Sequence, residues 1–508
     1  MKSRRVANFL MSRIPDSVHD RKGREYAVRV ANEAIKRTRA YPKFLKEKGV
    51  GTSQIESYED FQRLPLTTKK EYIDYDKFAL SDLVLDGRIS QSYTIETSSG
   101  YSGTPYYWPR LPQEDEMFPT YLEFAFTQFY NVHERSTLVV ITLALGTWIS
   151  GEKMAQALRE IAATGKYPLT VITPGSKEEE VISLVKDLAP MYEQTIIVGL
   201  PSFIKILIED GQQAGIDWKK LNVRLGLGGD SYSEAWRNYM AKRIGIDPDR
   251  DLLAISGGYG AADIGMTVGR EYPLTVIIRR LAERDKELAR ALFHCRGDNG
   301  QGLPSLLQYN PATVFIEGVE GELVFTTLTC IPLVRYRIHD RGGVISFSEV
   351  MSALSSCGYD VVSLMEEKGY TKRDVWRLPF FYCHGRTLDQ VSSGGALIYT
   401  ENVEAALSAA EVDEIVNFKI ESVVDKDENT RCMIHLQHRS SDLTEAEAEA
   451  LSKEYHDLLL ARLQEVNRVF KSIYETNPKV ADPLITVHAS TSDLFFEDKG
   501  KIKQKHLV

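Results

Sequence analysis

The segment 93–110, YTIETSSGYSGTPYYWPR, combines hydroxyl and glycine residues with aromatic flanks. The segment contains eight Ser, Thr and Gly residues, and seven of them lie between Ile95 and the aromatic run 106–108. The flanks predict two strands. A loop of this kind between two strands is either a hairpin turn or an anion cradle, because small residues expose backbone N–H groups.

Composition and charge limit the classes of function. The chain has 508 residues, 43% of them hydrophobic, and a formal net charge of −9. The length predicts about three structural units, and the negative charge argues against a nucleic-acid partner, since phosphate contacts need clustered Lys and Arg. Five cysteines without a C-x-x-C pair predict reduced thiols in the cytoplasm. We interpret the pairs His294-Cys295 and Cys383-His384 as structural rather than metal-binding.

No segment is expected to enter or span a membrane. The N-terminal stretch is basic, but Arg13 interrupts its apolar run, so it is a poor secretory signal. The most apolar long run, 137–149, is too short for a bilayer and contains three threonines. We predict a buried strand and its exit loop there.

The order of helical and strand patterns predicts an α/β fold. Helices and strands alternate from about 70 to 265, which is typical of doubly wound layers around a parallel sheet. Helices are predicted over 152–165, 176–192 and 202–215, and strands over 169–173 and 195–199, followed by VRLGLGG, the helix SEAWRNYMAKRIG and the strand LLAIS. A β-rich subdomain follows, with strands predicted over 274–280, 313–317, 321–328 and 333–338.

A third pattern begins near Gly385 and predicts a small α+β domain. Its elements are a helix in TENVEAALSAA, strands in VNFKIESVV and RCMIHLQ, a long helix near 444–466 and a strand in LITVH. No internal repeat or low-complexity tract accompanies these elements.

Several stretches, taken together and in this order, resemble motifs of the adenylate-forming ligases, the superfamily of acyl-CoA synthetases, luciferases and peptide-synthetase adenylation domains. SSGYSGTP is similar to the phosphate-binding loop SSGTTGKP. VRLGLGGDSYSEAWR and GGYGAADIG resemble the adenine-binding segment and the YGxTE motif. GELVFTTL with PLVRYRIHD resembles the phenylacetate-CoA ligase branch, which has PLIRYRTRD, and GRTLDQVSSGG and DKGKIKQ resemble the hinge and the terminal Gly-Lys.

The resemblance runs from about residue 60 to the last residues and implies two domains. An N-terminal adenylation core over 1–384 would bind ATP and the acid, and a mobile domain over 385–508 would carry the terminal Gly-Lys. In the loop, the polyphosphate would be held by hydroxyls and by amides, from Ser98, Ser99, Gly100, Ser102, Gly103 and Thr104. The superfamily has Lys where Thr104 stands, so this loop offers less positive charge and Mg²⁺ would neutralise more of the phosphate.

The remaining nucleotide contacts are also implied by the resemblance. Tyr259 would stack on adenine, with backbone-rich neighbours around the base at Gly228, Gly229, Asp230 and Gly260. Asp263 stands where the superfamily has a Mg²⁺-binding Glu, and a carboxylate is the hard ligand this ion prefers. Ala262 replaces the usual hydroxyl residue before it. Asp340 would accept both ribose hydroxyls, although it could instead pair with Arg341.

The C-terminal domain of the superfamily rotates between two half-reactions. Arg386 matches its phosphate-facing arginine, and Gly395 belongs to the loop that replaces the terminal lysine after rotation. Leu388 occupies the usual hinge position, so the hinge is expected there or at Asp389. Lys501, after Gly500, would meet the forming adenylate.

The stretch 342–384 has no counterpart in the resemblance. SEVMSALSSCG and YDVVSLMEEKG within it are each typical of a capped helix that ends in Gly. These helices would serve as packing, as a pocket cover or as a partner surface.

Together these features predict an AMP-forming acid ligase. ATP with Mg²⁺ would activate a small carboxylic acid, and the acyl group would pass to CoA. Trp148 in LALGTWISG and Gly258 would wall a pocket for an aromatic or apolar acid. The alternatives are transfer to an amine or a carrier protein, or a nucleotide-binding homologue that no longer turns over. The last of these is suggested by the departures at Thr104, Ala262, Asp263 and Leu388. The oligomeric state is open.

Overall fold

The computed structural model describes the chain except for residues 1–10, 99–105, 147–148, 230, 294–302, 387–389, 400–401, 404–405, 408–413, 426–428 and 499–508. The chain separates into two compact units. The larger comprises Met1–Ser98, Tyr107–Pro201 and Leu207–Gly385, and the smaller comprises Ser99–Tyr106, Ser202–Ile206 and Arg386–Val508. None of the described helices is both long and apolar enough to cross a membrane.

Thirteen of the described strands precede Gln390, and eleven of these form one mixed sheet. They are β1 (Thr94–Ser98), β2 (Tyr106–Arg110), β3 (Thr137–Ile141), β4 (Leu169–Ile172), β5 (Gln194–Gly199), β6 (Val223–Leu227), β7 (Ile255–Ala261), β8 (Gly265–Arg270), β9 (Ser305–Tyr309), β10 (Phe315–Val319), β11 (Glu322–Thr327), β12 (Leu333–Ile345) and β13 (Phe380–Arg386). The order in the large sheet is β10-β11-β12-β13-β9-β8-β7-β6-β5-β3-β4, while β1 and β2 pair with each other.

The large sheet is parallel from β7 through β6, β5 and β3 to β4. Strands β7, β8 and β9 pair antiparallel, as do β9 with β13, β10 with β11, and β11 with β12. All residues of β3 and β5 are buried, as expected for strands that helices cover on both faces. The α/β class and its parallel layers are confirmed.

The helices of the same part of the chain surround this sheet. They are α1 (Asp16–Arg37), α2 (Ala40–Glu47), α3 (Tyr58–Gln62), α4 (Lys69–Tyr72), α5 (Leu80–Leu83), α6 (Pro112–Asp115), α7 (Met117–Phe129), α8 (Ile149–Ala163), α9 (Glu178–Leu188), α10 (Pro201–Gln213), α11 (Glu234–Ile244), α12 (Pro273–Arg284), α13 (Lys286–Phe293), α14 (Phe347–Ser356) and α15 (Val361–Glu367). Leu122 and Phe126 of α7 and Leu158 of α8 pack with Val139 and Ile141 of β3 in one core.

The strand predicted over 274–280 is wrong, because LTVIIRR lies inside helix α12. Pro273 occupies the first turn, where its missing N–H costs no hydrogen bond. The side chains from Leu274 to Arg280 are all buried, so no exposed face interrupts the β-branched run. That burial removes the 3.6-residue polarity pattern from which a helix is normally recognised.

The two helices predicted in 342–384 are present as α14 and α15. Ser346 caps α14 and Asp360 caps α15, each accepting backbone N–H groups of the first turn. Val350, Leu354 and Met365 are buried in a core that includes α12. The stretch 342–384 therefore contributes to the core of the larger unit, as expected if its helices serve as packing.

The smaller unit contains an α+β arrangement of its own. Its described elements are β14 (Gln390–Ser393), β15 (Ala396–Tyr399), β16 (Ile415–Val424), β17 (Thr430–His438), α16 (Glu445–Val466), α17 (Arg468–Thr476), α18 (Pro478–Ala481) and β18 (Leu484–His488). Strand β17 pairs antiparallel with β16 and parallel with β18. Leu459 and Leu463 of α16 are buried with Ile434 and Leu436 of β17.

Candidate active site

Two pairs of side chains join β12 to the end of β7. The Tyr259 hydroxyl donates to Asp340 Oδ2, and the Tyr336 hydroxyl donates to Asp263 Oδ2 at 2.6 Å. Three strands separate β12 from β7 in the sheet order, so these contacts require the antiparallel part of the sheet to curl back on itself. Asp263 and Asp340 are only 2% and 4% exposed, which places both carboxylates where water screens them weakly.

Aromatic rings fill the inside of this curl. The Tyr259 ring stacks on Phe325 with 5.9 Å between centroids and meets the edge of Phe381 at 5.4 Å. A Cβ on Gly269 would lie 2.3 Å from the Phe381 ring. The rotamer of Tyr259 is therefore fixed by packing as well as by its hydrogen bond to Asp340.

The backbone of β12 is irregular beside both carboxylate partners. Leu323 of β11 lies opposite three β12 residues, 338–340, and Thr326 lies opposite 334 and 335. Arg335 and His339 have φ values of +47° and +67°, a left-handed conformation that L-residues rarely adopt. Each immediately precedes a site residue, Tyr336 or Asp340. Bulges of this kind re-aim the side chains that follow them.

Lys69, which the sequence analysis did not identify, lies at the same place. Its Nζ is 3.1 Å from Asp263 Oδ2 and 3.3 Å from Ser98 Oγ. Ser98 Oγ also accepts the Trp108 indole N–H at 2.8 Å. Ser98 is the first residue of the SSGYSGTP motif. The ammonium therefore joins the start of this motif to the Asp263 carboxylate.

A backbone bridge places Lys69 next to Asp263. Thr67 pairs with Tyr336, since its N–H donates to Arg335 O at 3.0 Å and its carbonyl accepts the Arg337 N–H at 2.8 Å. Thr68 then caps α4, which begins at Lys69. The only signal in the sequence LPLTTKKEY is a local cap, Thr68 with Glu71 three residues later. This signal predicts the start of the helix but not the pairing of Thr67 with β12.

Close backbone packing explains two of the glycines. Gly229 has φ +90°, and a Cβ there would lie 2.4 Å from Leu200 Cδ2. A Cβ on Gly260 would lie 2.2 Å from Met266 O. At Gly228 a Cβ would lie 3.7 Å from Gly258 O, so the ends of β6 and β7 bring these two residues together. The VRLGLGG segment and the GGYGAAD motif are therefore neighbours in the fold.

A buried ionic cluster supports the start of the GGYGAAD motif. Glu271 Oε2 accepts the Gly257 N–H at 2.8 Å, and its Oε1 accepts from Arg237 at 2.6 Å. Arg279 and Arg280 complete the cluster by donating to Glu234 at 3.2 and 3.0 Å. Burial pushes the pKa of Glu234 upward, but the three arginines outweigh it and lower that pKa. Glu234 therefore stays ionised in the interior because its arginine partners stabilise the charged form.

A second buried cluster holds the residue before Asp263. Arg110, only 1% exposed, donates to Glu96 at 2.7 Å and to the Ala262 carbonyl. Lys153 also contacts Glu96, at 2.9 Å. Ala262 thus lacks a side-chain hydroxyl, yet its carbonyl is fixed by a guanidinium. This contact orients the loop that carries Asp263.

The predicted Mg²⁺ role of Asp263 is compatible with its surroundings. Mg²⁺ often takes one or two protein carboxylates and receives its other ligands from phosphates and water. No group of three or more His, Cys, Asp or Glu side chains suited to a metal occurs within the described ranges. A single buried carboxylate, with Oδ2 engaged by Lys69 and Tyr336, therefore fits an ion that arrives with a polyphosphate.

Several predicted residues lie outside the described part of the chain. They are Trp148, Ser99, Gly100, Ser102, Gly103, Thr104, Asp230, Leu388, Asp389 and Lys501, together with the side chain of Arg386. Gly395, in the smaller unit, forms the β14–β15 turn with Gly394, and their φ values are +57° and +87° for Gly394 and Gly395 respectively. Two left-handed residues in a two-residue hairpin loop are typical of a type I′ turn.

Comparison with known sequences finds phenylacetate-coenzyme A ligases. The enzyme of Aromatoleum evansii is 23% identical over 319 residues, which cover 62% of this chain and 63% of that protein. The enzyme of Escherichia coli K12 is 24% identical over 309 residues, 58% of this chain and 59% of that protein. The matches span less than two thirds of either relative. No protein-family model matches the chain.

The solved structures match over almost the whole chain. A 2-hydroxyisobutyryl-CoA ligase in its thioesterification state superposes with a TM-score of 0.62 at 14% identity, covering 97% of this chain and 90% of that one. The open conformation of that ligase gives a TM-score of 0.51. The chain has the fold of the adenylate-forming acyl-CoA ligases, and its sequence is similar to phenylacetate-coenzyme A ligases. The resemblance drawn from the motifs is confirmed.

Proposed function

We propose that the protein is an AMP-forming ligase that activates a carboxylic acid with ATP and passes the acyl group to CoA. The observation that carries the proposal is the double link from the GGYGAAD motif to β12, through Tyr259–Asp340 and Asp263–Tyr336. It brings the residues matched to adenine, ribose and metal close to one another. The phenylacetate-coenzyme A ligases among the relatives, and a solved neighbour holding 2-HIB-AMP and CoA, support this assignment.

In the first half-reaction a carboxylate oxygen would attack the α-phosphate of ATP, and pyrophosphate would leave. Two anions must approach each other, so positioning supplies much of the rate. The Tyr259 ring would stack on adenine while its hydroxyl keeps Asp340 in place. Asp340 would accept the ribose hydroxyls, a task suited to a carboxylate with two oxygens.

Asp263 would hold Mg²⁺, which supplies charge neutralisation to the polyphosphate when bound. Its Oδ2 is already engaged by Tyr336 and Lys69, so Oδ1 would face the ion. Arg110 fixes the backbone at Ala262. The chain thereby limits the positions that the carboxylate can take.

In the second half-reaction the acyl group would pass to the CoA thiol with release of AMP. We assign the adenylation core to 1–384 and the mobile domain to 385–508, with Lys501 and Arg386 acting on the adenylate. The acid is expected to be aromatic or apolar, with Trp148 and Gly258 at its pocket. CoA is favoured as acceptor by the named activity of the curated relatives.

Exchange of label between pyrophosphate and ATP tests this proposal, because exchange requires adenylation but no acceptor. The purified chain, incubated with Mg²⁺ and a library of aromatic and aliphatic acids, is expected to exchange with at least one acid. Asp340→Asn should reduce exchange at least tenfold, and Asp76→Asn, on an exposed aspartate of the same unit, should not. ATP binding without exchange for any acid would instead indicate an inactive nucleotide-binding homologue. Exchange followed by amide rather than thioester formation would change the acceptor.

A further inference from the structure

The ammonium of Lys69 is held at the edge of the candidate site by three groups. It lies 3.1 Å from Asp263, 3.3 Å from Ser98 Oγ and 5.8 Å from the centre of the Trp108 ring. The Lys69 side chain is 22% exposed and the Asp263 side chain 3%. The ammonium is therefore the more exposed partner of a buried carboxylate.

The charge of the SSGYSGTP motif, compared with that of the resembling loops, indicates a role for Lys69 beyond pairing with Asp263. The SSGYSGTP motif has no basic residue, since Thr104 stands where the resembling loops have Lys. A polyphosphate that bound there would meet backbone amides and hydroxyls but no cation from the motif. Lys69 brings a cation to the first residue of the motif from 29 residues upstream.

We infer that Lys69 binds the polyphosphate of ATP and replaces the positive charge that the motif lacks. The inference rests on the proposed function and adds to it a residue for the phosphates. Lysine binds phosphate as a compact point charge on a flexible stem. When the polyphosphate enters, the ammonium is shared between Asp263 and phosphate oxygens, and no bond is made or broken.

The backbone at Thr67 is held in place, and this fixes the start of the Lys69 side chain. Thr67 is fully buried and is held to β12 by two backbone bonds and by its Oγ1, which donates to Val334 O at 2.9 Å. The stem of Lys69 therefore starts from a rigid point. A Lys–Asp pair with a buried carboxylate gives little net stability on its own, so stability alone does not explain why this lysine lies beside Asp263 and Ser98.

Binding of nucleotides without metal provides the test. With EDTA present, calorimetry measures the affinity of the full-length protein for ATP and for AMP. Lys69→Met is expected to weaken ATP binding at least tenfold and AMP binding less than threefold, because AMP lacks the β- and γ-phosphates. The adjacent Lys70→Met is the matched control and should change neither affinity by more than twofold.

Asp263→Asn separates phosphate binding from mere support of the carboxylate. If Lys69 contacts phosphate, Asp263→Asn should leave metal-free ATP affinity unchanged or raise it, because a nearby negative charge is removed. Equal losses in Lys69→Met and Asp263→Asn would show that the lysine only orients Asp263, and would overturn the inference. No loss in Lys69→Met would overturn it as well.

A double variant covers the case in which Lys69→Met folds poorly because Asp263 is left buried and unpaired. Lys69→Met combined with Asp263→Asn leaves no uncompensated charge. It should still bind ATP at least tenfold more weakly than Asp263→Asn alone, and equal affinities would refute the inference. A wild-type protein that binds no ATP would refute the proposed function itself, whereas wild-type binding that survives loss of Lys69 refutes only this inference.

Discussion

We predict that Glu271→Gln lowers the free energy of unfolding of the larger unit by about 3–5 kcal/mol, the usual cost of breaking one partner of a buried ion pair. Glu271 is 3% exposed. Its Oε1 accepts from Arg237 at 2.6 Å, and its Oε2 accepts from the Tyr232 hydroxyl at 2.6 Å and the Gly257 N–H at 2.8 Å. Every partner is a donor, so a glutamine must turn its own NH₂ group toward a donor on one side.

Two effects contribute to this magnitude. The substitution removes the negative charge nearest to Arg237, which is 1% exposed and is left to share Glu234 with Arg279 and Arg280. It also leaves one buried donor without an acceptor, which alone costs about 1–3 kcal/mol. Because a typical domain is stable by only about 5–15 kcal/mol, the expected change is a large part of the total.

Tryptophan fluorescence during urea unfolding measures this change in the right part of the chain. All five tryptophans lie at or before residue 376, within the larger unit, so unfolding of the smaller unit contributes little signal. Glu25→Gln is the matched control, because Glu25 pairs with Arg21 at 68–69% side-chain exposure and should change stability by less than about 0.5 kcal/mol. A loss below about 1 kcal/mol for Glu271→Gln would refute our reading of the cluster as a stabilising one.

Three further predictions concern Asp263, Lys501 and, in the smaller unit, His488. Asp263→Ala should reduce Mg²⁺-dependent exchange at least tenfold with little change in thermal midpoint, and Asp263→Glu should retain activity; equal losses of stability and activity would mark a structural carboxylate. Lys501→Ala should nearly abolish adenylate formation, by several kcal/mol in the barrier, yet transfer the acyl group from supplied acyl-adenylate to CoA near the normal rate; parallel loss of both steps would contradict rotation. Burial and the neighbouring His435 lower the pKa of His488 in the folded protein, so as pH falls the unfolded chain takes up a proton before the folded chain does, and stability is lost below about pH 6.5. Amide hydrogen exchange in β18 should then become faster than the pH dependence of the chemical exchange rate alone would make it. This extra acceleration should disappear in His488→Gln.

Much of the fold follows from local signals in the sequence. The stretch 342–384 shows why, since Ser346 and Asp360 can each accept backbone N–H groups, and Gly358 and Gly369 adopt φ values of +81° and +84° just beyond the helices. Helix N-caps and the left-handed glycines that end helices act within a few residues, so they can be recognised in the sequence without tertiary information. The buried runs of β3 and β5 are legible for the same reason.

Helix α12 marks the limit of this reasoning. Its run of Val276, Ile277 and Ile278 has the composition of a strand, and neighbouring Arg279 and Arg280 break any alternation of polar and apolar residues. Both arginines are buried because Glu234, far earlier in the chain, accepts hydrogen bonds from each. Tertiary partners therefore overrode the local preference, and no window of sequence around α12 contains them.

The candidate site divides in the same way. Tyr259, Asp263 and Asp340 lie within recognisable motifs. Lys69, in contrast, reaches Asp263 only because Thr67 bridges to Tyr336, which is 269 positions away. A threonine followed by lysines is a common helix start, so its composition gives no hint of a phosphate-facing role. Only the pairing of a loop with β12 converts it into a site residue.

The irregular course of β12 also explains why the two carboxylates act as one unit. A regular strand would keep its pairing with β11 in step, but the bulges at 334–335 and 338–340 insert extra residues. They turn Tyr336 toward Asp263 and Asp340 toward Tyr259, so one strand sets the distance between the carboxylates that we propose for the metal and the ribose. A left-handed residue such as His339 costs about 1–2 kcal/mol where it is not glycine. The strand therefore gives up local stability at the two places where the next side chain, Tyr336 or Asp340, makes a contact of the proposed nucleotide site.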